Sequence, residues 1–398
     1  ALISRSFSKE LKLRTPRNSY DNCLINSAEQ FFYNHNGETD IIAGYPWYDR
    51  QGRYTFISLP GLSLAKGNEE GCNNVMETMV SQMMGIFFPE TGRGENTRFH
   101  SADTSLWFIW ALQKCCHFGK CREKAWKVYG KVVKNIIEGY AKGNQMFRMD
   151  DNGLIYISED YPAITWMNAS VDGKPVTPRY GYVVEVNALW YNAIRFAQEL
   201  AELAKEKTWA SKMKKMADKI PQSFEQIFWN SEKEYLADYV TADKSEWSVR
   251  PNQVIAVSLP YSPVPSSVSR HVIDTVLKKL LTPKGLRTLA PDDPFYKGRY
   301  KGDEKKRDLA LHQGTVYPWL LGHFAEAYHK LYKDSATTFL NEVYDNFQED
   351  MTEDGIGTIS ELYDGDPPHQ SRGAISFAAN VAELLRIKNM ISGGSEDK

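Results

Sequence analysis

Residues 182–206 read YVVEVNALWYNAIRFAQELAELAKE. Val186, Leu189, Trp190, Ala193, Ala197, Leu200 and Ala204 recur there at spacings of three and four, the period that lines one face of an α-helix. The same period returns in Val75, Met76, Met79, Val80, Met83 and Met84, and again in Val128, Val132, Val133, Ile136 and Tyr140. Two other stretches, Leu106 to Leu112 and Ala374 to Ala379, are nearly all apolar for two turns, as a helix enclosed by neighbours would be. Enclosed helices alternating with amphipathic ones that carry Lys- and Glu-rich faces imply an inner and an outer ring.

Extended along the chain, the pattern predicts about twelve helices, near 18–34, 53–66, 70–87, 103–117, 120–141, 182–206, 208–230, 251–260, 267–281, 314–333, 336–349 and 373–391. The expected fold is therefore all-α, a toroid of about six helical hairpins. Gly/Pro/Asp-rich connections at 35–52, 88–102, 142–181, 231–250, 283–312 and 350–372 follow roughly every second helix and are too long for tight turns. If the rings alternate, these loops gather at one end and form a cleft. No composition break divides the chain. The expected organisation is an N-terminal extension over 1–17, one helical domain over 18–392 and a disordered tail over 393–398.

Composition narrows the function. The 398 residues carry a formal charge of −2 and are 42% hydrophobic and 25% charged, a globular balance without the basic excess of a nucleic-acid binder. Mean hydropathy is −0.49, and no apolar run approaches the roughly 18–20 residues of a membrane span. Residues 1–17 are polar and basic without the apolar core of a signal peptide. Five cysteines are too few and odd in number for a disulfide framework, so reduced thiols and a cytoplasmic location are expected. Cys115, Cys116, His117 and Cys121 lack the paired spacing of zinc ligands, and no Gly-rich phosphate loop appears, so neither metal nor cofactor is expected. Ten Trp and 22 Tyr suit carbohydrate stacking.

The connections hold the polar and aromatic residues such a site would use, in successive blocks: IIAGYPWYDRQGR (41–53), SADTSLWF (101–108), TWMNA (165–169), VEVNALWYNA (184–193), RPNQ (250–253), LTPKGLRTLAPDDPFYKGRYKGD (281–303), HQGTVYPWLLG (312–322) and GTISELYDGDPPHQSRGAISFAANVAELLR (357–386). In this order, from about Ile41 to Arg386, they resemble the C-terminal amylo-α-1,6-glucosidase domain of glycogen debranching enzymes. The resemblance implies an (α/α)6 toroid related to the glucoamylases, and inverting release of glucose from α-1,6 branch points of an α-glucan. A transferase module or other N-terminal domain would lie outside this chain.

Inverting hydrolysis needs a base that activates water and an acid that protonates the leaving oxygen, with carboxyls roughly 6.5–9.5 Å apart. The resemblance puts the base at Glu361. At the acid position, where the family usually reads TWMD, this chain has Asn168, whose amide holds no transferable proton. The role could pass to Glu159, Asp160 or Glu185, and Glu185 also reads as a partner of its helix's N-terminal dipole. A second departure follows Arg53: Tyr54 stands where the family has an acid that grips sugar hydroxyls. These departures motivate an alternative, a glycan-binding homologue without turnover. Substrate-binding positions are expected at Trp47, Arg53, Tyr54, Asp103, Trp166, Arg250, Asn252, Asp292, Asp293, His312, Gln313 and Trp319. Asp103 could equally be a helix cap, Asp292-Asp293 a turn, and the aromatics core.

Overall fold

The computed structural model describes residues 16–64, 67–119 and 122–393. Almost all of the expected extension, the last five residues of the expected tail, and Cys121 lie outside the described residues. Fourteen α-helices are described: α1 (Tyr20–Gln30), α2 (Gly52–Leu64), α3 (Glu69–Ser81), α4 (Thr104–Gly119), α5 (Arg122–Lys142), α6 (Val184–Leu203), α7 (Lys207–Ala217), α8 (Ile220–Phe228), α9 (Asn252–Ser258), α10 (Ser266–Lys279), α11 (Glu304–Asp308), α12 (Leu320–Tyr332), α13 (Thr337–Asp345) and α14 (Ala378–Ile391). Among them none is long and apolar enough to cross a membrane.

Their packing order closes on itself. Helix α2 packs on α4, α4 on α6, α6 on α9, α9 on α12, α12 on α14, and α14 back on α2. The remaining long helices lie outside that circuit, α1 and α13 against α14, α3 against α2, α5 against α4 and α6, α7 against α6, and α10 against α9 and α12. Sequence explains who goes inside. Every residue from Leu106 to Leu112 of α4 is at most 4% exposed, and burying each large side chain contributes about 1.5–3 kcal/mol, so this helix must be covered on all sides. In α2, Gly61 lets the backbone of α14 pass: a Cβ there would meet the Ala382 carbonyl oxygen at 2.0 Å.

Three expectations need correction. In α5 the expected face is buried at Val133, Ile136 and Tyr140 but not at Val128, which is 49% exposed; Trp126, Tyr129 and Ile137 widen the buried face on its other side. The helix expected over 208–230 is two, since Pro221 stands at the start of α8 and cannot continue α7. Most consequentially, the fold is not purely helical. Among the described residues, the connections carry short antiparallel strands in two five-stranded sheets and four two-stranded pairs. One large sheet joins 147–149, 155–157, 181–183, 239–240 and 245–246; the other joins 281–282, 285–287, 316–317, 362–363 and 371–372. Loops stacked and buried over the helix ends must still satisfy their N–H and C=O groups, and pairing with each other does so.

Candidate active site

Glu361 precedes the strand at 362–363 and is held from three sides. Its N–H donates to the Ala374 carbonyl (2.8 Å), and the Ala374 N–H returns a bond to Oε2 (2.8 Å). The Tyr48 hydroxyl donates to Oε1 (2.9 Å). Behind the loop, Asn380 in the first turn of α14 donates Nδ2 to the carbonyls of Ser360 and Glu361 (2.5 and 2.8 Å), and its Oδ1 accepts from the Trp319 N–H (2.9 Å). Asn380 thus pins the Glu361 loop to the loop that opens α12. Gly373 has φ +70°, and a Cβ there would lie 2.3 Å from Glu361 Oε2. Burial pushes the Glu361 carboxyl up to about 7, against the opposing bonds from Ala374 and Tyr48. The Tyr317 and Tyr54 hydroxyls, their pKa values raised first by burial, also feel the Glu361 charge.

Two buried arginine clamps flank this centre. Arg53 reaches Asp103 through Nε (2.9 Å) and Nη2 (2.8 Å), Glu90 through Nη1 (2.8 Å) and the Ser101 hydroxyl through Nη2 (3.1 Å). Asp103 is wholly enclosed and also accepts from Trp107 Nε1 (3.3 Å). It caps α4 through its carbonyl and locks Arg53 through its carboxylate. In the second clamp, Arg179 holds Asp238 (2.7 and 2.9 Å) and both oxygens of Glu185, and it reaches Thr165 (3.2 Å). Burial opposes the charge of Arg179, but Asp238 and Glu185 more than offset it and raise its pKa. Glu185 is fully buried behind this pair, and its carboxylate is engaged in holding Arg179 rather than open to a ligand.

Asn252 continues the second clamp. Its Nδ2 donates to Asp238 (2.7 Å), and its Oδ1 accepts from Trp166 Nε1 (2.7 Å). Trp166 is thereby seated edge-on against His312, Tyr317 and Trp319, at centroid distances of 5.3, 5.6 and 5.3 Å. Tyr54 meets Trp319 and Phe377 in the same edge-on manner. Trp166 and Trp319 are buried and form wall rather than stacking platforms, whereas Trp47 is 67% exposed. Arg250 spans the carbonyls of Thr288 (3.1 Å) and His312 (2.8 Å) and Gln313 Oε1 (2.9 Å). Burial, with the nearby Arg250, Arg179 and Arg53, lowers His312 to about 3, so its ring is neutral near pH 7 and suited to hydrogen bonding rather than proton transfer.

Asn168 emerges from this wall. Trp166 and Met167 are buried and Asn168 is exposed. The aromatic contacts from Trp166 to Tyr317 put its loop at the same end of the helices as Glu361. Glu159 and Asp160 are exposed. Asp292 is not part of the cluster: it pairs with Lys279 on α10, and Asp293 accepts from the Phe295 N–H (2.9 Å), as a turn would. Sequence reasoning did not single out Tyr48, Glu90, Arg179, Asp238 or Asn380. Tyr48 and Asn380 carried a signal, Tyr48 inside the block at 41–53 and Asn380 as an amide in the mostly apolar run FAANVAELL. The arrangement presents one poised carboxyl, neutral hydrogen-bonding groups and a rigid aromatic wall, which suits activation of water beside a polar, uncharged ligand.

The family profile described as Amylo-alpha-1,6-glucosidase matches residues 25–386. The glycogen debranching enzyme of Saccharomyces cerevisiae is 24% identical over an alignment covering 70% of this chain, and the chain spans about a quarter of that protein's length, 24%. Among solved structures, a GH63 mannosylglycerate hydrolase from Thermus thermophilus in complex with Tris superposes with a TM-score of 0.65 at 13% identity, covering 92% of this chain and 99% of that one. An uncharacterized conserved protein from the same organism gives 0.64 at 14% identity, covering 91% and 99%. At such identities the structural likeness speaks for the fold.

Proposed function

The chain belongs to the amylo-alpha-1,6-glucosidase family, and from that premise we propose that it is a debranching-type glycoside hydrolase that releases glucose from α-1,6 branch points of glycogen-like α-glucans with inversion. The closed helix circuit is then the inner ring of an (α/α)6 toroid, and the loops at its end form the cleft. The whole works in the cytoplasm beside an N-terminal domain outside this chain. The observation that carries the reading is the Glu361 carboxyl, buried, held on both oxygens and raised to about 7. A base with a pKa near the working pH takes a proton from water efficiently. Water attacks the anomeric carbon, its proton goes to Glu361, and the bond to the leaving oxygen breaks. Exposed Trp47 supplies a stacking surface, and His312 and Gln313 supply hydrogen bonds to hydroxyls.

With Asn168 at the acid position, the leaving oxygen must take its proton from solvent. Loss of general-acid assistance costs about 10²–10⁴ in rate. The chain should therefore hydrolyse α-glucosyl fluoride, whose leaving group needs no proton, far faster than a branched limit dextrin. Glucose release from both substrates, compared with Glu361→Gln, tests this; no release from either above that control would refute it. The exposed amide of Asn168 favours a second reading, a glycan-binding homologue, for which calorimetry would show oligosaccharide binding while neither substrate is turned over.

A further inference from the structure

Away from the cleft, a cavity of about 260 Å³ opens among α3, α4 and α5. Its walls include Met76, Leu112 and Tyr129, together with the thiols of Cys72, Cys115 and Cys116. No disulfide joins these cysteines. Cys72 lies on the outer helix α3 and Cys115 on the inner helix α4, 43 residues apart, yet their sulfurs are 2.9 Å apart, with Cys72 donating to Cys115. A disulfide bond is about 2.05 Å long, so joining them needs a movement of less than about 1 Å. Cys72 is 6% exposed and Cys116 is 1% exposed, while Cys115 is partly open. Neighbouring residues on a helix point about 100° apart, which turns Cys116 away from the partner that Cys115 meets. Among the described residues, no three His, Cys, Asp or Glu side chains are arranged to hold a metal ion, so the pair does not read as part of a metal site.

We propose that Cys72 and Cys115 are an oxidisable dithiol pair, a modification site that a peroxide converts into a disulfide tying the outer helix to the inner one. The Cys115 thiolate, reached through the cavity, attacks the peroxide. An S–O bond forms, the O–O bond breaks, and an alcohol or water leaves after taking up a proton. The Cys72 thiolate then attacks the sulfenic sulfur; the S–S bond forms, the S–O bond breaks and water leaves. Overall, two thiols are oxidised by two electrons and one peroxide is reduced. The bond would join α3 to the helix that Asp103 caps, and by closing a 43-residue loop it would also restrict the unfolded chain.

The full chain is treated with one equivalent of hydrogen peroxide, remaining thiols are alkylated, and unreduced peptides are read by mass spectrometry. The expected result is a linked pair containing Cys72 and Cys115, lighter by about 2 Da than the two thiol peptides together and separated again by dithiothreitol. Cys116→Ser should keep the link, whereas Cys72→Ser should abolish it and leave a sulfenic acid at Cys115 that dimedone traps. The oxidised wild type should unfold at higher temperature than the reduced protein. Linkage of Cys115 to Cys116 or Cys23, sulfinic acid without any link, or thiols that react only once the chain is unfolded in urea would each overturn the proposal. None of these readouts depends on glycosidase activity.

Discussion

Replacing Glu361 with Gln should make the folded protein progressively more stable, relative to wild type, as pH rises. The Glu361 carboxyl stands at about 7 in the folded chain against its ordinary 4.5, chiefly because burial penalises its charge. The folded state therefore holds the proton more tightly than the unfolded chain does. The stability this lends is fully present below about pH 4.5 and is lost as pH climbs through 7. At about 1.4 kcal/mol per pH unit, the interval corresponds to roughly 3 kcal/mol. An amide of the same shape carries none of this dependence, although it disturbs the bonds to Tyr48 and Ala374 at a roughly constant cost of about 1 kcal/mol. The variant should thus be slightly less stable than wild type at pH 5 and more stable by about 2 kcal/mol at pH 8. Urea unfolding of both proteins from pH 5 to 8 measures the difference directly. A difference that stays flat across that range, or falls with rising pH, would show that Glu361 is not a strained buried carboxyl. The same ionisation should govern catalysis. Because only ionised Glu361 can accept a proton, kcat/KM for α-glucosyl fluoride should rise with pH and level off above about 7. His312, at about 3, leaves that limb undisturbed.

Four further outcomes follow from the same geometry. Asn168→Asp should speed glucose release from limit dextrin by as much as about 10²-fold while leaving α-glucosyl fluoride nearly unchanged; equal effects on both would place position 168 outside proton donation. Gly373→Ala combines a positive φ with a Cβ 2.3 Å from Glu361 Oε2, so kcat/KM should drop sharply while urea stability falls by only about 1–2 kcal/mol. Arg179→Met leaves Glu185 buried without its cation and Asp238 with only Arg250, 3.9 Å away, and should cost about 3–5 kcal/mol in the same unfolding assay, with a near-neutral result contradicting the clamp. Asp292→Ala, on the α10 side, should leave turnover unchanged and shift stability by less than about 0.5 kcal/mol.

How far the site could be read in advance follows from the range of its interactions. The helices were legible because periodicity is local: seven consecutive buried residues in α4 show their environment in the sequence itself. Strands of two or three residues are too short for a period to be detected, so the sheets over the helix ends were invisible. Glu361 lies inside a block that the sequence already displays, but the groups that hold its carboxyl do not announce themselves in that block. Arg53 meets Asp103 across 50 residues, Arg179 meets Asp238 across 59, and Tyr48 meets Glu361 across 313. No spacing rule reaches that far.

Tyr54 and Asn168, the two departures that the resemblance implies, separate physically once the contacts are known. Tyr54 stands between Trp319 and Phe377 as a packed ring, so the aromatic residue supplies wall where an acid would have needed a cation or hydroxyls to justify its burial. Asn168 is exposed, and an exchange there leaves the packing of Trp166 and Met167 untouched. The fold therefore constrains position 54 strongly and position 168 weakly. Glu361, gripped by Tyr48, Ala374 and, through its backbone, Asn380, is the most constrained of the three. On the proposed assignment, an exchange at position 168 leaves Glu361 and its partners undisturbed, so Asn168→Asp is expected to add acid assistance to an otherwise intact site and not to repair a damaged one.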